Sequence, residues 1–266
     1  KQKTAYELSL GLVGSEMCIR DRTSVAYLND LGILGPEVSC AHAVWLTDQD
    51  IELLARTGTT VCHNPSSNLR LKNGIAPVNS MLAAGVNVVM GTDSTALNDD
   101  DDMIQEMRLA SKLHRQPWLG QPFLTSESSL AMATTNAAQP TGFHQEIGTL
   151  ETGYRADMVL LDLTKIEEPY MDANIGPIDA LLYRGKGSHV DVVIIDGEVV
   201  LRNGKPTKVD KEDIMRELKE RFSAPLDPQT RDVRALVSEL IPHVARFYQT
   251  WQSDQGEPHY RMNARR

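Results

Sequence analysis

Two short β-branched runs, Thr59 to Cys62 and Val86 to Met90, read as buried strands. Each is followed by a polar residue with chemistry, His63 after the first and Asp93 after the second. Between them, Pro77 to Ala84 has helical spacing and is closed by Gly85. A third run, Val38 to Val44, ends near His42. It leads to Thr47-Asp48-Gln49-Asp50, which opens a helix with Thr47 as N-cap and Asp50 at the capping-box position; Gly58 ends that helix. The pattern predicts three successive strand–helix units, beginning at Val38, Thr59 and Val86. Their candidate functional side chains stand at the strands' C-terminal ends, where parallel α/β barrels gather their active sites.

Around this centre the pattern predicts mostly helix. Val25 to Leu31 has apolar residues at helical spacing before Gly32. Asp99 to Asp102 precede a helix through Leu113, and their charges favour its N-terminus. A further helix is expected from Ser126 to Ala138, stopping before Pro140. Met158 to Leu161 then reads as a strand and Pro177 to Leu182 as a short helix. Val190 to Ile195, Asp196-Gly197 and Glu198 to Leu201 form a hairpin pattern, and Asn203-Gly204 marks a second turn. Asp210 to Phe222 is an amphipathic helix capped by Asp210. Thr230 to Trp251 is another, with Val233, Leu236, Val237, Leu240, Ile241, Val244 and Tyr248 in one stripe. That stripe suits packing on the protein's own body or on a second subunit.

Composition narrows the class without naming it. The 266 residues are 41% hydrophobic and 24% charged, with net charge −9. That allows one large domain or a domain with a smaller companion. No basic patch suggests a nucleic-acid partner, and no apolar run reaches the ~18 residues of a membrane span. Cysteines 18, 40 and 62 show no C-x-x-C spacing, so a reducing compartment, the cytoplasm, is expected.

Four short motifs stand in order: A-H-A-V-W-L at Ala41 to Leu46, H-N-P-S-S-N-L at His63 to Leu69, N-G-I-A-P-V at Asn73 to Val78, and G-T-D-S at Gly91 to Ser94. Together they resemble the amidohydrolase superfamily, in its deaminase and chlorohydrolase branch acting on aminated or halogenated heterocycles, which includes the methylthioadenosine/S-adenosylhomocysteine deaminases. The resemblance runs from about Thr23 to Lys219. It implies an α/β fold: the last three strands and helices of a (β/α)8 TIM barrel, part of a small β-sandwich, and C-terminal helices. On that basis residues 23–146 are expected to be partial barrel, 147–222 a partial sandwich, and 223–266 a helix and tail. Residues 1–22 read as a non-native leader, because Met17 to Arg22 resemble the translation of a transposase adapter used in sequencing libraries. The native N-terminal half is then expected to be missing.

The resemblance also implies chemistry. Hydrolytic removal of an amino group needs an activated water; a divalent metal, zinc or iron, lowers that water's pKa and a carboxylate moves its proton. Asp93 matches the family's metal-binding and proton-accepting Asp. His42 matches the sixth-strand His that hydrogen-bonds the water or substrate. His63 matches a position beside the substrate. Asn64 and Asn68 are expected to shape the loop, and Ser94 replaces the glycine common in the deaminase branch. No H-x-H pair occurs anywhere and no H-x-x-E precedes His42. Histidines 114, 144, 189, 243 and 259 stand in surface-like contexts and offer no substitute. One carboxylate and one imidazole fall short of the three or four protein ligands of a zinc site. The expectation is a metal-dependent hydrolase of non-peptide C–N bonds on small heterocyclic substrates, with homo-oligomers allowed and this chain inactive alone. Hydrolytic dechlorination and a non-catalytic binding fragment remain the alternatives.

Overall fold

A computed structural model describes residues 23–98, 100–116, 120 and 124–249. The leader reading lies outside the described residues, as do most of 223–266's final tail and the side chain of Tyr248. The chain divides into two compact units, one ending at Gly204 and one beginning at Lys205.

The first unit is built on three parallel strands, β1 (Ser39–Ala41), β2 (Thr60–His63) and β3 (Val88–Met90), in the order β1-β2-β3. The register pairs Ala41 with Cys62 and His63 with Met90, so the strands' C-terminal ends are level. Helix α1 (Ser24–Asp30) precedes β1 and α2 (Asp48–Thr57) connects it to β2. Thr47 and Asp50 form the reciprocal capping box at the start of α2, and Gly58 closes it at φ 72°. After β2 come α3 (Pro65–Arg70) and α4 (Val78–Ala83); after β3 come α5 (Thr95–Asn98) and α6 (Met103–Leu113), whose N-cap is Asp102.

Leu54, Val61, Val78, Met81, Val88 and Ala110 are fully buried between the sheet and its helices. Removing each of the five larger side chains among them from water contributes roughly 1.5–3 kcal/mol, which is what holds these short strands in place. Gly91, just after β3, is required by crowding: a Cβ there would collide with Asn64 Oδ1 and lie 2.7 Å from Cys62 Sγ.

Several boundaries differ from the pattern's. The strand expected over Val38 to Val44 is only three residues long, because His42 and Ala43 turn into left-handed backbone at φ 67° and 45°. The helix expected over 126–138 is two helices, α7 (Ser126–Ala133) and α8 (Thr135–Ala138), followed by a 3₁₀ turn at Gln139–Thr141. The break is Thr134, at φ −130° and ψ −93°, whose hydroxyl donates back to the Leu130 carbonyl at 2.7 Å. Helix α3 occupies a stretch the sequence presents as loop.

Antiparallel pairing joins β4 (Met158–Leu161) to β5 (Val190–Ile195), and β5 to β6 (Glu198–Arg202). Asp196-Gly197 and Asn203-Gly204 both have positive φ at each residue, as the tight hairpin turns they signal require. Helices α9 (Leu163–Glu167) and α10 (Pro177–Arg184) lie between β4 and β5 in the chain.

The second unit holds a two-residue strand, β7 (Lys205–Pro206), then α11 (Lys211–Ser223), capped by Asp210, and α12 (Pro228–Gln249). Val233, Leu236, Val237, Leu240, Ile241 and Val244 of α12 are all exposed. Among the described residues no helix is long and apolar enough to cross a membrane.

Candidate functional site

Three strand ends and one short helix supply the site. His42 follows β1, His63 ends β2 and Asp93 lies three residues past β3. Left-handed backbone at His42 (φ 67°) and Asp93 (φ 63°) aims both side chains off the strand direction. His42 Nε2 and Asp93 Oδ2 come within 3.5 Å, each side chain about a quarter exposed. The sequence therefore brings these two together. Asp93 Oδ2 accepts from Ser67 Oγ at 2.7 Å, and His42 Nδ1 is 2.8 Å from Asn68 Oδ1.

His63 sits deeper. It is 1% exposed and its Nε2 lies 3.0 Å from Nε2 of His114 at the end of α6. Its Nδ1 is buried without a partner. Burial, then the neighbouring imidazoles of His114 and His42, push its pKa down to about 3. Burial also lowers His114 to about 4. His114 corrects the surface reading: it is 6% exposed, and its carbonyl accepts from Asn79 Nδ2. One ring of the pair donates its N–H and the other accepts it.

A second buried network stands behind α3. Glu106 of α6 is fully buried, with its pKa raised by burial against the opposing hydrogen bonds. Its carboxyl accepts from the Ser66 N–H at 3.1 Å and from Asn98 Nδ2 at 2.7 Å. Asn98 Nδ2 is also 2.8 Å from Ser66 Oγ. Cys62, beside Asp93, is held as a thiol: burial first and the Asp93 charge second raise it to about 11. A separate groove, lined by Arg108, Lys165, Arg184 and Lys186 among others, shares no residue with this cluster. Its two arginines are already hydrogen-bonded to backbone carbonyls.

Residues 15–200 match the amidohydrolase family along their whole stretch. The chain belongs to that family. This amidohydrolase chain is 42% identical to a 5'-deoxyadenosine deaminase of Methanopyrus kandleri over 192 residues, 72% of the chain and 43% of that protein. It is 40% identical to a 5-methylthioadenosine/S-adenosylhomocysteine deaminase of Moorella thermoacetica over 203 residues, 75% of the chain and 46% of that protein. Among solved structures, a zinc-bound adenosine deaminase from Xanthomonas campestris matches with TM-score 0.71 and 29% identity, over 79% of this chain and 47% of that one. An atrazine chlorohydrolase from Arthrobacter aurescens complexed with zinc matches with TM-score 0.70 and 28% identity, over 77% and 45%. The chain spans about half the length of the curated relatives it matches. Its fold is α/β, with the C-terminal portion of a (β/α)8 barrel as its parallel part.

A divalent metal is a feature of the family, as the two zinc-bound structures show. The donors here do not make such a site by themselves. Among the described residues no three His, Cys, Asp or Glu side chains converge as a metal cluster, and a zinc site needs three or four protein ligands.

Ser67 and Glu106 are not assigned from the sequence, Asn68 is expected only to shape the loop, and His114 is placed at the surface. Asn64-Pro65 was the available signal for Ser67 and Asn68, since proline favours the first position of a helix and would have turned the loop into α3.

Ser94 carries an expected outcome of its own. At φ 98° it occupies backbone that favours glycine. Relief of that strain, of order 1–3 kcal/mol, is partly offset by the ~0.4–1 kcal/mol of added freedom in the unfolded chain. Ser94→Gly should therefore stabilise the protein by about 1 kcal/mol, raising Tm by roughly 2–4 °C in a thermal melt. An unchanged or lower Tm would show that the turn is not strained.

Proposed function

We propose that this chain supplies the C-terminal half of the active site of a hydrolytic aminohydrolase, one that removes the amino group of a purine-nucleoside-like or triazine-like ring. The observation that carries the reading is the meeting of His42 Nε2 and Asp93 Oδ2 at the strands' C-terminal ends. The named relatives, deaminases of 5'-deoxyadenosine and of methylthioadenosine and S-adenosylhomocysteine, support the substrate class. In the reaction, water adds to the ring carbon that bears the amino group, and ammonia leaves. Asp93 accepts the water's proton and returns it to the departing nitrogen. His42 accepts a hydrogen bond from the water and aligns it. His63, behind them, shapes the wall beside the ring.

A divalent metal, zinc or iron, belongs to this reading in a longer protein, with Asp93 the one direct ligand assigned here. The described donors are too few to hold it. Residues 23–146 would be the barrel part and 147–222 the sandwich part of that protein. The exposed stripe of α12 supports self-association, and Cys40 and Cys62, both free thiols, accord with the cytoplasm. Hydrolytic dechlorination is the second reading, favoured by the likeness to the atrazine chlorohydrolase.

A chimera tests the proposal: the N-terminal part of the Methanopyrus deaminase, up to where the match begins, fused to residues 23–266. With zinc supplied, it should release ammonia from 5'-deoxyadenosine or 5'-methylthioadenosine. Chloride release from atrazine without ammonia release from either nucleoside would select the second reading. A folded, zinc-loaded chimera that does neither would overturn the enzymatic proposal.

A further inference from the structure

We propose that Ser67 and Asn68 of α3 are positioning residues that set the hydrogen-bonding state of Asp93 and His42. The inference rests on the reading of those two as the water-activating pair. Adjacent side chains on one short helix each take one member: Ser67 Oγ–H donates to Asp93 Oδ2 at 2.7 Å, and Asn68 Oδ1 faces His42 Nδ1 at 2.8 Å. Ser67 is fully buried and Asn68 is 1% exposed, so water does not compete for either bond.

The consequence is a choice of tautomer. An amide oxygen can only accept, so Nδ1 of His42 must carry the proton. Neutral His42 then presents a bare Nε2 towards Asp93 Oδ2, 3.5 Å away. Two acceptors facing each other at that distance cannot bond directly. They suit a small molecule lying to one side of both, with one O–H or N–H turned towards each, which is what a water awaiting attack offers. Without Asn68, the proton would move to Nε2 and be donated to Asp93, so that Nε2 could no longer accept from such a molecule.

Helix α3 is itself fixed. Its first turn gives the Ser66 N–H to the buried Glu106 carboxyl at 3.1 Å, and Asn98 braces both Ser66 Oγ and Glu106. Asn73 N–H donates to the Asn68 carbonyl at 2.9 Å, tying down the other end. The His42–Asn68 and Asp93–Ser67 bonds are thus presented by one rigid element rather than by two independent loops.

The test needs no turnover and no metal. The 266-residue chain is labelled with ¹⁵N-histidine and its imidazoles are read by long-range ¹H–¹⁵N spectra at about pH 8, where free imidazole is neutral. His42 should carry its proton on Nδ1, and Asn68→Leu should move it to Nε2. In ¹³C-aspartate-labelled protein, Ser67→Ala should shift the Asp93 carboxylate signal while Ser67→Thr, which keeps a hydroxyl, leaves it near its original place. A wild-type His42 protonated on Nε2 overturns the Asn68 role even if the Asn68 variant does not fold. An Asp93 signal indifferent to Ser67→Ala overturns the Ser67 role. Neither result bears on whether the chimera deaminates, so failure of the positioning and failure of the enzymatic reading are told apart.

Discussion

Asp93→Asn in the deaminase chimera should lower kcat/KM at least a hundredfold while leaving the fold intact. The amide has the shape of the carboxylate and can still accept from Ser67 Oγ, now 2.7 Å from Asp93 Oδ2. It cannot take a proton from water. General acid–base catalysis by one side chain is worth ~10²–10⁴-fold, and the loss should fall mainly on kcat because the group acts in the transition state. Far-ultraviolet circular dichroism and a thermal melt check the fold alongside the kinetics. A loss below about tenfold in a folded variant would remove Asp93 from the proposed role. His42→Asn should lose less than Asp93→Asn, since in the proposed reaction it aligns the water without carrying its proton.

Much of this arrangement was legible, for reasons that differ element by element. β2 and β3 are buried on both faces, so they show as short runs rich in β-branched residues, with His63 ending the first strand and Asp93 three residues past the second. The Thr47–Asp50 box and the Asp196-Gly197 and Asn203-Gly204 turns are local chemistry, complete within four residues. What stayed hidden depends on partners far along the chain. Helix α3 reads as polar loop although Asn64-Pro65 is a helix-start signal, because its six polar-rich residues show no apolar period; its start is held by Glu106, forty residues on. Nothing near Ser67 or Asn68 says that one faces Asp93 and the other His42. His114, in Lys112-Leu113-His114-Arg115, has the company of a surface residue, yet α6 ends against β2 and drives it beneath His63. Burial of a single polar side chain at a helix end leaves no periodic trace.

That buried pair makes the fold acid-sensitive. Both imidazoles have folded-state pKa values below the unfolded one, about 3 for His63 and about 4 for His114, for the reason that burial disfavours their charged forms. A group with a depressed histidine pKa binds protons more readily when unfolded, so stability is fully present above the unfolded pKa near 6.5 and is lost as pH falls below it. Between pH 7 and pH 5 the unfolded chain takes up about 0.7 proton at each of these two histidines while the folded chain takes up almost none. Linkage then removes roughly 3–4 kcal/mol across that window, a large share of the 5–15 kcal/mol typical of a domain. Glu106 works in the other direction: its raised pKa means that its ionisation costs stability as pH rises above the usual carboxylate range. The urea midpoint should therefore drop steeply from pH 7 to pH 5. His114→Gln keeps a polar partner for His63 Nε2 and removes one titrating ring, so it should about halve that drop. A urea midpoint flat across this range would mean that water reaches the pair and that it is not sealed beneath the His42–Asp93 cluster.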